Sequence, residues 1–197
     1  MHLNLELLIE KSACESGLAW YLSHGQPNTV EGCVSALLAD PDPSTTLPYA
    51  NWLLSNLLNE DDCRRYAIFA ARQVLHIFET AYPEDNRPHL AIEAAENYLV
   101  THSEADRDAA RAAGNDAWDA ARAAGNDAWD AEGAAAAAAG AAEGAEVAAA
   151  RAAGTAERVA GAAAMAAGTA ERVAGAAGAV AGDLMYRAII EYGVTLI

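Results

Sequence analysis

The side chains best equipped for chemistry are few, and their spacing does not gather them into a reaction. Histidines stand at His2, His24, His76, His89 and His102, and cysteines at Cys14, Cys33 and Cys63. A structural or catalytic zinc draws its ligands from close Cys or His pairs, and no pair here has that spacing. Cys63 and His76 fall on one predicted helix but thirteen residues apart, too far to share an ion. There is no Gly-x-Ser-x-Gly elbow to present a serine nucleophile, no glycine-rich phosphate loop and no dinucleotide fingerprint. No catalytic, cofactor-binding or metal-ligating residue is therefore assigned, and no cofactor is expected.

Recognition is the remaining chemistry, and it rests on cations and large aromatics. Arg64, Arg65 and Arg87 have two possible fates in an acidic chain. They pair internally with Asp61, Asp62, Asp85 or Glu93, or they form a basic spot for an anionic ligand or a partner's carboxylates. Of the four tryptophans, Trp52 lies in an apolar run and is expected in the core. Trp118 and Trp129 stand alone on an alanine-rich face, as knobs that fix helix docking or as exposed interface anchors, a role in which Trp is enriched. Docking is the preferred reading. The candidate partner-binding set is thus Arg64, Arg65, Arg87, Trp118 and Trp129.

Charge narrows the partner. The 197-residue chain carries 28 acidic against 12 basic side chains, a net charge of −16. Phosphate contacts require Lys and Arg, so direct binding to nucleic acid or to an anionic membrane is not expected. A solvated acidic surface, a basic partner or mimicry of a nucleic acid all fit. The opening MHLNLELLIEKSACES lacks a basic leader and carries Glu6 and Glu10, so it does not read as a signal peptide. The apolar stretch 133–182 is alanine and glycine interrupted by charges, so no membrane span is expected. Three widely spaced cysteines suit reduced thiols in a cytoplasmic protein better than a disulfide framework.

The elements that must position these groups are helices. In NEDDCRRYAIFAARQVLHIFETAYP, Asn59 is a cap, Asp61 and Asp62 suit the positive end of the helix dipole, and Pro83 marks the stop. Ile68, Ala71, Leu75 and Phe78 recur at helical spacing, with Ala67 and Val74 widening the stripe. NRPHLAIEAAENYLV predicts a second helix, with Pro88 in its first turn and Leu90, Ile92, Ala95 and Leu99 apolar. LPYANWLLSNLL predicts a third, through Trp52, Leu53, Leu54, Leu57 and Leu58. Proline content predicts a loop over DPDPSTTLP, from Asp40 to Pro48. No run alternates with period two, so no strand is expected and the fold class is all-α.

Two parts differ in grammar. Residues 1–102 read as a globular helical part. Residues 103–197 form an alanine-rich, duplicated helical part packing back on it, either as a second part or as one continuous domain with it. The phrase DAARAAGNDAW occurs at 108–118 and again at 119–129. Eleven residues make three turns, which leaves Trp118 and Trp129 nearly in line. AAGTAERVAGAA occurs at 152–163 and returns fourteen residues later, which keeps Val159 and Val173 on one face. Both spacings preserve a helical face, so the repeats look architectural rather than like a binding code. A single helix over 105–192 would run about 130 Å, so two or three long antiparallel helices are expected. Gly114-Asn115, Gly125-Asn126, Gly154-Thr155 and Gly168-Thr169 are candidate break points, with turns favoured near 131–133, 140–144 or 154. The tail DLMYRAIIEYGVTLI regains large side chains and should pack on the first part.

KSACESGLAWYL, YANWLLSNLLNEDDCRRYAIFAARQVLHIFE, YPEDNRPHLAIEAAENYL and the closing YRAIIEYG, with the alanine-rich stretch between, carry a family resemblance. Together they resemble the alanine-rich helical immunity proteins of bacterial polymorphic-toxin systems, most specifically over 51–99. The resemblance implies an all-helical, non-catalytic, stoichiometric inhibitor that binds a toxin domain, and it brings no catalytic residues. Cys14, Trp20, Trp52, Arg65, Tyr66, Arg87 and Tyr98 are the matched positions that stand out.

The leading expectation is therefore a cytoplasmic binding protein that occludes a protein partner, a toxin or a defence effector. Acidity fits, because nuclease toxins present basic clefts and complementary charge speeds encounter. The alternatives are a phage or mobile-element inhibitor of a host defence complex, acting as a nucleic-acid mimic, and a structural helical protein that self-associates as a homo-oligomer. An enzyme ranks last.

Overall fold

The computed structural model describes residues 1–124, 138 and 178–197. Among the described residues there are eight helices and no strand, so the protein is all-α. They are α1 (Leu5–Glu10), α2 (Glu15–Ser23), α3 (Val30–Ala39), α4 (Pro43–Leu57), α5 (Glu60–Ala81), α6 (Arg87–Thr101), α7 (Glu104–Ala124) and α8 (Gly178–Val194). The expectations placed on Trp129 and on the breaks from Gly125 to Thr169 lie outside the described residues.

Side-chain caps start most of these helices. The Asn4, Thr29 and Asn59 side chains accept from the backbone N–H groups of Leu7, Gly32 and Asp62 at 2.8, 3.0 and 3.0 Å. Each satisfies a donor that helix geometry leaves without a partner. α5 then buries the whole predicted stripe: Ala67, Ile68, Ala71, Val74, Leu75 and Phe78. Its connection to α4 is two residues, and a third helix, α6, folds back along it. Polar contacts stitch α5 to the α6 region: Arg72 grips Glu96 with two bonds of 2.8 and 2.7 Å, His89 meets Glu79 at 2.9 Å, and His102 meets Asp61 at 2.8 Å.

α6 and α7 are joined by two residues. His102 takes the left-handed conformation (φ 51°), and the Ser103 hydroxyl accepts from the Asp106 N–H at 3.0 Å to open α7. The two helices meet through small side chains. Ala91 and Ala117 are fully buried against each other's surroundings, with Ala113 and Trp118 packed beside them. Gly114, a candidate break, lies inside α7. One interior glycine costs about 1 kcal/mol against alanine, which the flanking alanines and this packing outweigh.

The tail does pack on the first part. α8 buries Ile189 and Ile190, stacks Tyr192 on Phe69 at 4.1 Å, and sends the Arg187 guanidinium to the Leu38 carbonyl at 2.6 Å. At Gly193 the approach is closest: a Cβ there would stand 2.7 Å from Leu54 and 2.8 Å from Tyr66. Tyr66 is fully buried and donates to Asn51 Oδ1 at 3.0 Å.

Two expectations need correction, and one apolar position is less buried than its neighbours. The segment from Asp40 to Pro48 is not a loop throughout, because α4 begins at Pro43. Pro43 sits at the first helical position, where its missing N–H has no partner to lose, and Pro48 forfeits one ladder bond. Leu90 is 45% exposed, on the side of α6 away from Ala91, Ile92 and Ala95. Trp52 is only half-buried, for a reason that concerns the site.

Candidate functional site

The described members of the predicted set, Arg64, Arg65, Arg87 and Trp118, are each engaged within the fold. Arg64 is 1% exposed, with its guanidinium held by Asp61 at 2.5 Å and Glu60 at 3.5 Å and lying 5.1 Å over the Tyr98 ring. A side chain so enclosed has no face to offer a partner, and Arg64 is withdrawn from the partner-binding set. Arg65 pairs with Asp62 at 2.8 Å, one turn before it, and is half-exposed. Arg87 folds onto Asp85 at 2.6 Å, and the Asp119 and Asp116 carboxylates of α7 also act on it. The Arg87 bond and charge hold the Asp85 carboxyl below its usual range. Trp118 lies in the α6–α7 contact, and Trp129 is outside the described residues. No group of three metal-ligating side chains gathers among the described residues.

A different feature stands out: a cavity of about 270 Å³ among the first four helices. α1 supplies Leu8 and the following turn Ala13 and Cys14. α2 adds Gly17, Trp20 and Tyr21, and α3 adds Cys33 and Leu37. α4 closes the wall with Pro48, Tyr49, Trp52 and Leu53. Cys14 and Pro48 are exposed and mark the mouth, while Leu8, Tyr21, Cys33, Leu37 and Leu53 are buried and form the floor. Four aromatic rings thus line a hollow that no side chain fills. Ligand sites have this character, apolar and concave with few polar groups.

Most of the polar atoms around it are already engaged. Trp20 Nε1 donates to Asp40 Oδ2 at 2.9 Å, and the Trp20 ring stacks on His24 at 4.3 Å. The Trp20 bond and the Asp42 N–H hold the Asp40 carboxyl below its usual range. Tyr21 donates to the Pro27 carbonyl at 3.2 Å. Burial pushes the Cys33 thiol up to about 11, so it stays uncharged at neutral pH. Cys14 differs from Cys33 in being exposed. It caps α2, accepting the Gly17 N–H at 3.4 Å and lying 3.4 Å from the Ser16 hydroxyl. The Ser16 and Gly17 hydrogen bonds lower its pKa, which enriches the thiolate at the mouth.

The surroundings are strongly acidic. In residues 1–59 the carboxylates are Glu6, Glu10, Glu15, Glu31, Asp40 and Asp42, and Lys11 is the one Lys or Arg. Glu6, Glu10, Glu15 and Asp42 are exposed. Sequence reasoning missed this pocket because its walls come from four helices. The fold brings Cys14, Trp20 and Trp52, far apart in sequence, to one cavity. No helix among the described residues is long and apolar enough to cross a membrane. No family model, curated protein or solved structure matches the chain.

Proposed function

We propose that this protein is a non-catalytic, stoichiometric inhibitor that binds a partner protein, such as a toxin domain or a defence effector, and occludes its working surface. The observation that carries the reading is the unfilled aromatic-walled cavity set in an acidic layer. An apolar hollow is where an interface concentrates its binding energy, and surrounding charge of one sign selects and steers a partner of the other. The resemblance to immunity proteins supports the same reading, as does a net charge of −16 in a chain whose partner would act on an anionic substrate. Nucleic acid and anionic membrane are disfavoured partners on charge, and a cytoplasmic setting fits three cysteines with no disulfide among them.

The intact chain, used to capture proteins from a native lysate and then to reconstitute the complex from purified components, tests this. The expected result is a complex of fixed stoichiometry in which the partner's activity is lost. Capture of nothing, or a partner that stays fully active at saturation, removes the reading.

A further inference from the structure

We infer that the cavity of the first four helices is the seat of one aromatic or aliphatic side chain presented by a cationic segment of the partner. The inference rests on the inhibitor reading for the existence of a partner, but its own argument is local. The lining determines the chemistry of what enters. The Trp20 and Tyr21 donors are committed within the fold, so a charged or strongly polar group entering the hollow would be desolvated with little compensation. The volume, about 270 Å³, exceeds the 150 Å³ of an engineered cavity that accepts benzene, so one ring or branched aliphatic group fits.

The rim determines what flanks it. Asp40 accepts from the lining residue Trp20, Asp42 opens the helix that supplies Tyr49 and Trp52, and Glu15 directly follows Cys14, while Glu6 and Glu10 are exposed on the side of α1 away from Leu8. Against these stand Lys11 and, from α8, Arg187, which is committed to the Leu38 carbonyl. A second copy of this chain would bring the same sign of charge to the contact, and a nucleic acid or an anionic lipid surface would do likewise. A segment with Lys or Arg on either side of an apolar anchor satisfies hollow and rim together.

Cys14 makes the test direct. It is exposed at the mouth, while Cys33 and Cys63 are buried with their thiols pushed up to about 11, so a neutral alkylating reagent reports on Cys14 alone. The rate of iodoacetamide labelling at Cys14 is followed by mass spectrometry with three blocked peptides: Arg-Lys-Phe-Lys-Arg, Arg-Lys-Ala-Lys-Arg and Glu-Glu-Phe-Glu-Glu. The expected result is that the basic Phe peptide slows labelling at a concentration at least about tenfold lower than the basic Ala peptide. The acidic Phe peptide should be weaker still, and 0.5 M salt should erode the advantage of the basic one. Gly17→Leu, whose side chain would project from α2 toward Cys14 and Tyr49, should abolish protection with the helical circular dichroism retained. Should that variant not fold, the peptide comparison on the natural chain decides alone.

Equal protection by the Phe and Ala basic peptides overturns the use of the cavity. Equal protection by the acidic and basic Phe peptides overturns the cationic flank and leaves a site for any uncharged apolar molecule. A Cys14 that does not label in the free chain overturns an open mouth. None of these outcomes bears on whether a captured partner loses its activity, so the two readings fail separately.

Discussion

α4 has two sides, and they are finished differently. On one side it presents Leu47, Ala50 and Leu54, all at 1% exposure or less, and α8 comes so close to Leu54 that only glycine fits at position 193. Toward α1, α2 and α3 it presents Tyr49 and Trp52, large side chains that remain half-buried around a hollow. Residue size does not explain the contrast, since the open side holds the larger rings. The closed side is shut away from water as protein interiors are. The open side keeps apolar surface in reach of water at an energetic cost, the pattern expected where a surface waits for something to cover it.

Three sets of measurements would break or sharpen that contrast. The largest effect belongs to the closed side. Ile190→Ala should destabilise the fold by about 2–5 kcal/mol, because a fully buried side chain is removed where neighbours are held tightly. A loss under about 1 kcal/mol in urea unfolding would mean that the α8 contact is not the sealed interior described. The next test pairs two glycines under one substitution. Gly193→Ala should cost about 1–3 kcal/mol, since its methyl meets Leu54 and the buried Tyr66 ring at distances no real contact shows. Gly17→Ala should instead be neutral or gain up to about 1 kcal/mol, because its methyl meets Tyr49 at an ordinary 3.9 Å and the exposed Cys14 Sγ at 3.3 Å, which can yield slightly without leaving its cap, and helix propensity improves. Melting temperatures moving in the same direction for both variants would erase the contrast.

The smallest effect concerns the stitched seam between α5 and α6. The Glu79 hydrogen bond, aided by Glu93, raises the His89 pKa above its ordinary 6.5. A group with a raised folded pKa contributes stability that is fully present below its unfolded value and is lost as pH rises through the folded one. The stability difference between the natural chain and Glu79→Gln should therefore be largest near pH 5.5 and fade above neutrality. Both partners are about two-fifths exposed, so the difference should stay under about 1 kcal/mol. A difference that grows with pH would refute the assignment.

How much of this was legible in the sequence depends on where the information lies. α5 was readable because its cap, its acidic first turn and its apolar stripe are all local and all agree. The start of α4 was not, because proline content signals a break only when position is ignored, and Pro43 occupies the one helical position that favours it. Arg64 was ambiguous for a different reason: Asp61 three residues earlier was visible, but the Tyr98 ring that encloses the guanidinium comes from α6. The pocket was the least legible feature. Gly17, Cys33 and Tyr49 carry no signal of their own, and only the packing of four helices turns them into walls.

The bond from Arg187 to the Leu38 carbonyl spans 149 residues of chain. Synthesis proceeds from the N terminus, so α8 leaves the ribosome long after α4 and α5. Until it arrives, Leu54, Tyr66 and Phe69 lack the cover that Gly193 and Tyr192 provide. Between the synthesis of α5 and that of α8, the nascent chain therefore carries these three side chains without the contacts that α8 later completes.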